Sequence, residues 1–263
     1  MWGAIIGDIV GSVYEGRRDW MPVRRVDFQP LVAEDARFTD DTVLTIAVAD
    51  SLLYDHDLIE RLKAYTVAYP LAGYGKAYRE WAFSEREEPY NSYGNGSAMR
   101  VSPVGWRYST LDQVLLHARR TAMVTHNHPE GVKGAQAIAA GVFLARTGMD
   151  RPQIAAYLTQ EFGYELERSI DDQRAEYVFD SSCQGTVPQA IRAFLEADDF
   201  EHALRLAISL GGDADTLACM AGALAEAFFG TPPAELRGAA RRLLDPSLRV
   251  LCDAFTERYG RGT

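Results

Sequence analysis

An all-α fold is expected from three features of this 263-residue chain. Apolar residues recur at intervals of three and four in one segment after another, Gly and Gly-Pro stops close those segments, and no series of alternating strands accompanies them. Gly3, Gly7 and Gly11 recur every fourth residue, so they lie along one face of an N-terminal helix and let another helix approach closely. After Thr42, the residues Val43, Leu44, Ile46, Ala47, Val48, Leu52 and Leu53 form a helical stripe, with Asp50 on another face. Residues 131–147 are rich in Ala and Gly around Ile138, Val142, Phe143 and Leu144, and residues 189–197, 202–210, 217–229 and 233–244 repeat the pattern. Gly148 and the run Gly230-Thr231-Pro232-Pro233 are stops. One short extended piece is expected at 23–28, and the longest irregular stretches are 15–38, 84–106 and 125–131. Functional groups are expected on those loops, held by rigid helices.

With 47% hydrophobic and 24% charged residues the composition is that of a globular protein, which excludes a disordered or low-complexity chain. The length provides a sizeable core, and with no shift of composition along the chain a single domain over 1–263 is expected. A net charge of −10 argues against a broad nucleic-acid-binding face, which needs clustered Lys and Arg. Cys183, Cys219 and Cys252 form no C-x-x-C pair and read as small buried hydrophobes in a reducing compartment. The apolar start, residues 1–13, carries Asp8 and three glycines and lacks a basic region. It is too short for a membrane span and has no signal-peptide layout, so a soluble, cytoplasmic protein with no membrane partner is expected, a monomer by default.

Two acidic clusters each stand directly before a helix: Phe38-Thr39-Asp40-Asp41-Thr42 and Gly211-Gly212-Asp213-Ala214-Asp215-Thr216. Helix capping accounts for one residue of each; each has three or four. Consecutive ligands cannot converge from the middle of a helix, but at a loop-to-helix junction they can, and paired glycines help. Thr39, Asp40, Asp41, Asp213, Asp215 and Thr216 offer oxygen ligands only, which suits Mg²⁺ or Mn²⁺ rather than Zn²⁺. Four carboxylates brought together repel one another, and two divalent cations relieve that repulsion.

Between the clusters lies Asn91-Ser92-Tyr93-Gly94-Asn95-Gly96-Ser97-Ala98-Met99-Arg100. Its glycines and small polar residues suit either an Asn-Gly turn or a backbone cradle for an anion, with Tyr93 able to stack on a base. The usual nucleotide-binding fingerprints are absent. In Thr125-His126-Asn127-His128-Pro129-Glu130-Gly131 no further soft ligand follows the histidines, so His126 reads as a hydrogen-bonding group to a ligand oxygen and His128 as a loop spectator. Asp8 and Glu15 are acidic residues among apolar and Gly neighbours.

Taken together, these segments resemble the ADP-ribosylglycohydrolase family over nearly the whole chain, from residues 3–15 through 38–42, 94–100 and 125–126 to 211–216. The resemblance implies an orthogonal all-α bundle with a di-metal cleft, and an enzyme that hydrolyses the bond between ADP-ribose and a serine or arginine side chain. It assigns two Mg²⁺ or Mn²⁺ to Thr39, Asp40, Asp41, Asp213, Asp215 and Thr216, and the ADP-ribose pocket to Ser92, Tyr93, Gly94, Asn95, Gly96 and His126. Glu15 is placed at the scissile bond on the flap that continues through Trp20, with Asp40 or Asp213 as the alternative base. Competing expectations are a Mg²⁺-dependent hydrolase of a free ADP-ribose derivative or nucleotide diphosphate, and a non-catalytic ADP-ribose binder.

Overall fold

A computed structural model describes residues 1–16 and 26–260. In chain order the helices are α1 (Trp2–Gly11), α2 (Asp40–Tyr54), α3 (Leu58–Ala68), α4 (Lys76–Ala82), α5 (Gly96–Met99), α6 (Ser102–Arg107), α7 (Leu111–Met123) and α8 (Pro129–Arg146). They continue with α9 (Arg151–Phe162), α10 (Ile170–Arg174), α11 (Cys183–Glu196), α12 (Phe200–Ser209), α13 (Ala214–Phe229), α14 (Ala234–Leu243) and α15 (Pro246–Tyr259). A single isolated bridge between Gly94 and Ser182 is the one extended pairing among the described residues. The fold is therefore all-α.

Helices α1 and α13 carry apolar residues around their whole circumference, interrupted by Asp8 in α1 and by Asp215 and Glu226 in α13, and such helices belong at the centre. All ten residues of α1 are buried, as are residues 214–227 of α13. Their contact is close enough to forbid side chains along the seam. A Cβ added to Gly3 would stand 2.2 Å from the Gly222 carbonyl oxygen, one on Gly7 2.0 Å from that of Ala218, and one on Gly11 2.4 Å from the Asp215 Cα. The arrangement is reciprocal, since a Cβ on Gly222 would meet the Gly3 carbonyl oxygen at 2.3 Å. The glycines at intervals of four thus act through packing, as expected from their spacing. On the outside, α14 buries only Leu236 and Ala240 and presents its charged face outward.

Several boundaries differ from the sequence reading. Helix α11 begins six residues before 189 and carries Pro188 in its interior. Proline lacks the N–H that the helix ladder uses, so the periodic pattern is interrupted there. The stretch 84–106 contains the short helices α5 and α6, too brief for periodicity to register. Of the expected extended piece at 23–28, residues 23–25 lie outside the described residues, while Val26 and Asp27 form a turn and Phe28 is irregular. Asp50, set apart from the apolar stripe of α2, is nonetheless buried: Tyr65 donates to it at 3.0 Å, and His56 Nδ1 lies 3.0 Å away. No described helix is long and apolar enough to cross a membrane.

Because the Gly7 contact is with backbone, it cannot be relieved by a rotamer change. Gly7→Val is expected to destabilise the protein by at least about 3 kcal/mol, lowering the melting temperature by roughly 6–12 °C. Gly238→Ala, inside α14 with its nearest neighbour the flexible tip of Arg242 at 3.5 Å, is expected to stabilise by about 0.5–1 kcal/mol. Thermal denaturation of the two variants measures both signs.

Candidate functional site

The end of α1, the start of α2 and the start of α13 meet at one place, and both acidic clusters come with them. Asp8, completely buried within α1, is the joint. One of its carboxylate oxygens accepts the Thr39 hydroxyl at 2.6 Å, and the other accepts the backbone N–H groups of Thr39 (2.9 Å) and Thr42 (3.1 Å) and the Thr42 hydroxyl. Burial pushes its pKa up and these hydrogen bonds pull it down. The network fixes the entry of α2, where Thr39 also caps the helix by accepting from the Asp41 N–H at 3.3 Å. Capping and clustering are thus both present at the first acidic segment.

At the second segment capping fails as an explanation. Asp213 occupies the N-cap position of α13 but makes no capping bond from its side chain; its carboxylate instead accepts from Asn95 Nδ2 at 2.7 Å. Gly211 and Gly212, with φ of +74° and +69°, make the turn that delivers it, a conformation that other residues adopt only with strain. The Gly16 N–H bonds the Gly212 carbonyl at 3.0 Å, which ties the segment bearing Glu15 to this turn.

The two clusters touch directly: the Thr216 hydroxyl donates to Asp41 Oδ2 at 3.3 Å. Carboxylate oxygens of Asp8, Asp41 and Asp215 lie within 4.8 Å of one another, and so do those of Glu15, Asp213 and Asp215, so that Asp215 belongs to both groups. Burial raises the pKa of Asp41 and Asp215 well above the usual carboxylate range, and repulsion from the neighbouring carboxylates adds to it. Asp40, half-buried, is raised to about 8 by burial and then by the charge of Asp8. Glu15 is raised by burial and by Asp213, with Arg37 opposing. Asp41 Oδ1 is buried with no hydrogen-bond partner among the described residues. An unpartnered buried carboxylate oxygen among other carboxylates fits a hard divalent cation.

These groups form one wall of a cleft of about 370 Å³. Glu15, Asp40, Asp41, Asp213, Asp215 and Thr216 line it, and so do Ser92, Gly94, Asn95, Gly96 and His126, with Asn95 joining the two groups through its bond to Asp213. Thr39 and Tyr93 are the exceptions. Thr39 is buried outside that lining, its hydroxyl engaged with Asp8. Tyr93 is 52% exposed and packs edge-on against His128 at 5.4 Å. His128 is more than a spectator, since it caps α8 by accepting from the Glu130 N–H at 3.2 Å. The flap that was expected to continue from Glu15 falls, from residue 17 onward, outside the described residues.

The polar loop at 91–100 is stitched to its neighbours. The Asn95 N–H donates to the Ser181 carbonyl at 2.8 Å, the Gly94 N–H to Ser92 Oγ at 3.1 Å, and the Cys183 N–H to the Tyr93 carbonyl at 2.8 Å. Two of the amides expected to cradle an anion are therefore already engaged. What faces the cleft here is the edge of His126, whose Nε2 would stand 3.1 Å from a Cβ on Gly96; a side chain at that position would cover the imidazole. The sequence reading assigned no role to Asp8 or to Arg100, which is fully buried and also lines the cleft. For Asp8 a signal existed: an acid inside a wholly apolar helix must find partners.

Comparison with known proteins agrees with this architecture. The family model described as ADP-ribosylglycohydrolase matches residues 1–262. ADP-ribosylhydrolase ARH3 of Bos taurus is 31% identical, the match covering 87% of this chain and 83% of the relative. ADP-ribosylarginine hydrolase Tri1 of Pseudomonas putida is 27% identical over 87% of this chain and 69% of its own length. A solved structure, described as an ADP-ribosylglycohydrolase-related protein complex, superposes with a TM-score of 0.73 at 27% identity, covering 98% of this chain and 95% of the other. Continuous in sequence and matched in fold, the chain belongs to the ADP-ribosylglycohydrolase family.

Proposed function

We propose that this protein hydrolyses the glycosidic bond between ADP-ribose and a serine or arginine side chain of an acceptor protein, releasing free ADP-ribose. The observation that carries the reading is the meeting of Asp41, Asp213, Asp215 and Thr216 at the wall of a cleft large enough for a nucleotide-sized ligand. The names of the ARH3 and Tri1 relatives support the same substrate class.

Thr39, Asp40, Asp41, Asp213, Asp215 and Thr216 are the residues that would hold two Mg²⁺ or Mn²⁺ ions. When bound, such ions supply the positive charge that offsets the crowded carboxylates and orients hydroxyl oxygens of the substrate's ribose. Asp8 is a support for this set rather than a member, because its two oxygens already accept four hydrogen bonds. Asn95 performs the same service for Asp213. Cleavage of a glycosidic bond develops positive charge at the anomeric carbon, and carboxylates close to it lower that barrier. Glu15 stands at the rim of the acidic wall with a pKa raised by burial and by Asp213. A carboxyl in that condition suits proton transfer at the leaving group or at the attacking water. Asp40 and Asp213 are the alternative bases. Beside the acidic groups, Ser92, Gly94, Asn95, Gly96 and His126 hold the diphosphate and adenosine portion, with the exposed Tyr93 next to them in sequence for the base.

Two peptides that differ only in carrying serine- or arginine-linked ADP-ribose test the reading. Release of free ADP-ribose, followed by mass spectrometry, is expected from one of them in the presence of Mg²⁺ or Mn²⁺ and is expected to stop with chelator. Glu15→Gln should lower kcat by about 10²–10⁴-fold. Formation of AMP instead of ADP-ribose would replace this reading with diphosphate hydrolysis, and tight ADP-ribose binding without turnover would replace it with a binding protein. A second measurement needs no substrate. Mg²⁺ at a hundredfold excess over its dissociation constant should stabilise the wild-type protein by about 2.7 kcal/mol. Asp41→Asn should abolish that gain while leaving the metal-free melting temperature equal or higher, because one repelling charge is gone.

A further inference from the structure

Arg100 stands at the C-terminal end of α5 with no exposed surface, and among the described residues it has no acidic partner. One terminal nitrogen, Nη2, donates to the Thr121 carbonyl at 3.0 Å and to the Thr125 hydroxyl oxygen at 2.8 Å. Thr125, likewise fully buried, has its hydroxyl oxygen 2.7 Å from Nδ1 of His126. A guanidinium can only donate, so the Thr125 oxygen must accept from it. The oxygen has a second lone pair, but among the described residues Nδ1 is the only other group in hydrogen-bond contact with this buried hydroxyl, so its own hydrogen finds an acceptor only where Nδ1 carries a lone pair. A neutral imidazole with a bare Nδ1 has its proton on Nε2. Nε2 faces the Gly94–Gly96 turn, in line with the cleft.

We infer that Arg100, acting through the Thr125 hydroxyl, is a positioning residue that locks His126 as the neutral Nε2–H tautomer and so presents a single hydrogen-bond donor to the cleft. The inference builds on the proposed function by defining what His126 recognises: an acceptor-only oxygen, such as a phosphoryl oxygen, in preference to a hydroxyl used as a donor. Burial and the nearby positive charge of Arg100 both disfavour the imidazolium and so act in the same direction. His126 is therefore a fixed donor and takes no part in proton transfer. The neighbouring ring of Tyr90, with its centroid 6.0 Å away, brings no competing charge to Nδ1.

Two-bond proton–nitrogen spectra of the histidine-labelled protein near pH 7.5 read the tautomer directly, with the His126 signal assigned by its loss in His126→Gln. The wild type is expected to show a neutral His126 protonated at Nε2. Thr125→Val, similar in volume but without the hydroxyl, should redistribute His126 between the two neutral tautomers. It should also weaken ADP-ribose binding about tenfold by calorimetry, raising KM with kcat nearly unchanged. Thr125→Ser should restore both readouts, which a purely structural role for the threonine methyl would not do. An Nδ1–H tautomer or an imidazolium in the wild type would overturn the inference, as would an unchanged tautomer in Thr125→Val. Wild-type protein with the expected spectrum but no affinity for ADP-ribose would overturn the ligand reading and leave the tautomer lock standing, so the two failures are distinguishable.

Discussion

The backbone-to-backbone contact of α1 with α13 governs the rest of the molecule. Gly3, Gly7 and Gly11 remove side chains from one face of α1, and Gly222 does the same from α13. Helices usually pack with axes 8–10 Å apart because side chains fill the gap; here carbonyl oxygens occupy the space a Cβ would need. The chemical consequence lies at the end of the seam. Gly11 meets Asp215 and Ala214 directly, so the turn carrying Glu15 leaves α1 beside the first residues of α13. Asp8, one turn before Gly11, is left facing the entry of α2. A packing rule among glycines thereby sets which carboxylates can share a volume.

Sharing that volume is costly. Buried carboxylates lose hydration and repel each other, and proteins retain such sets only where hydrogen bonds, protons or cations compensate. The compensation here is uneven. Asp8 receives four hydrogen bonds and Asp213 receives the Asn95 amide. Asp41 keeps an unpartnered oxygen, and the charges of Asp41, Asp213 and Glu15 all act on Asp215. Asp8, with both oxygens engaged, belongs to the frame, while Asp41 and Asp215 are left to be compensated by a proton or a cation. That asymmetry sets Asp8 apart from Asp41 and Asp215, where the sequence pattern offered Asp41 and Asp215 as candidate metal ligands and left Asp8 without a role.

How much was legible in the sequence follows from the range of each interaction. Helix existence and the glycine stripe are local and periodic, so they could be read along the chain. The acidic clusters were legible because capping requires fewer oxygens than they contain. Their convergence was not, since it depends on the Gly7–Ala218 contact between residues more than two hundred positions apart. Asp8 was visible as an oddity inside an apolar helix, but its partners, Thr39 and Thr42, lie across a long irregular segment. Arg100 gave no signal: an arginine after a helical turn ordinarily projects into solvent, and only the fold reveals that it is sealed against Thr121 and Thr125. Of the two readings of the 91–100 loop, a turn or a backbone cradle for an anion, the engaged amides favour the turn. Asn95 is engaged by Ser181, more than eighty residues away, and Gly94 by its near neighbour Ser92.

The two walls of the cleft differ in kind, and the difference constrains what can lie between them. One wall is made of acceptors: six carboxylates, counting the buried Asp8, whose burial and crowding favour a cation or protons. The other offers the His126 edge, the Ser92 hydroxyl and a buried guanidinium without an acid beside it. An anion placed against bare carboxylates is repelled, and a cation placed beside Arg100 is repelled likewise. A ligand spanning both walls must therefore be neutral and rich in oxygen at one end, where a metal can mediate, and acceptor-rich or anionic further along. A free phosphate satisfies only the second condition and a simple sugar only the first. A ribose joined to a diphosphate, as in the substrate proposed above, satisfies both in one molecule. That polarity, more than any single side chain, is the physical content of the proposed substrate class.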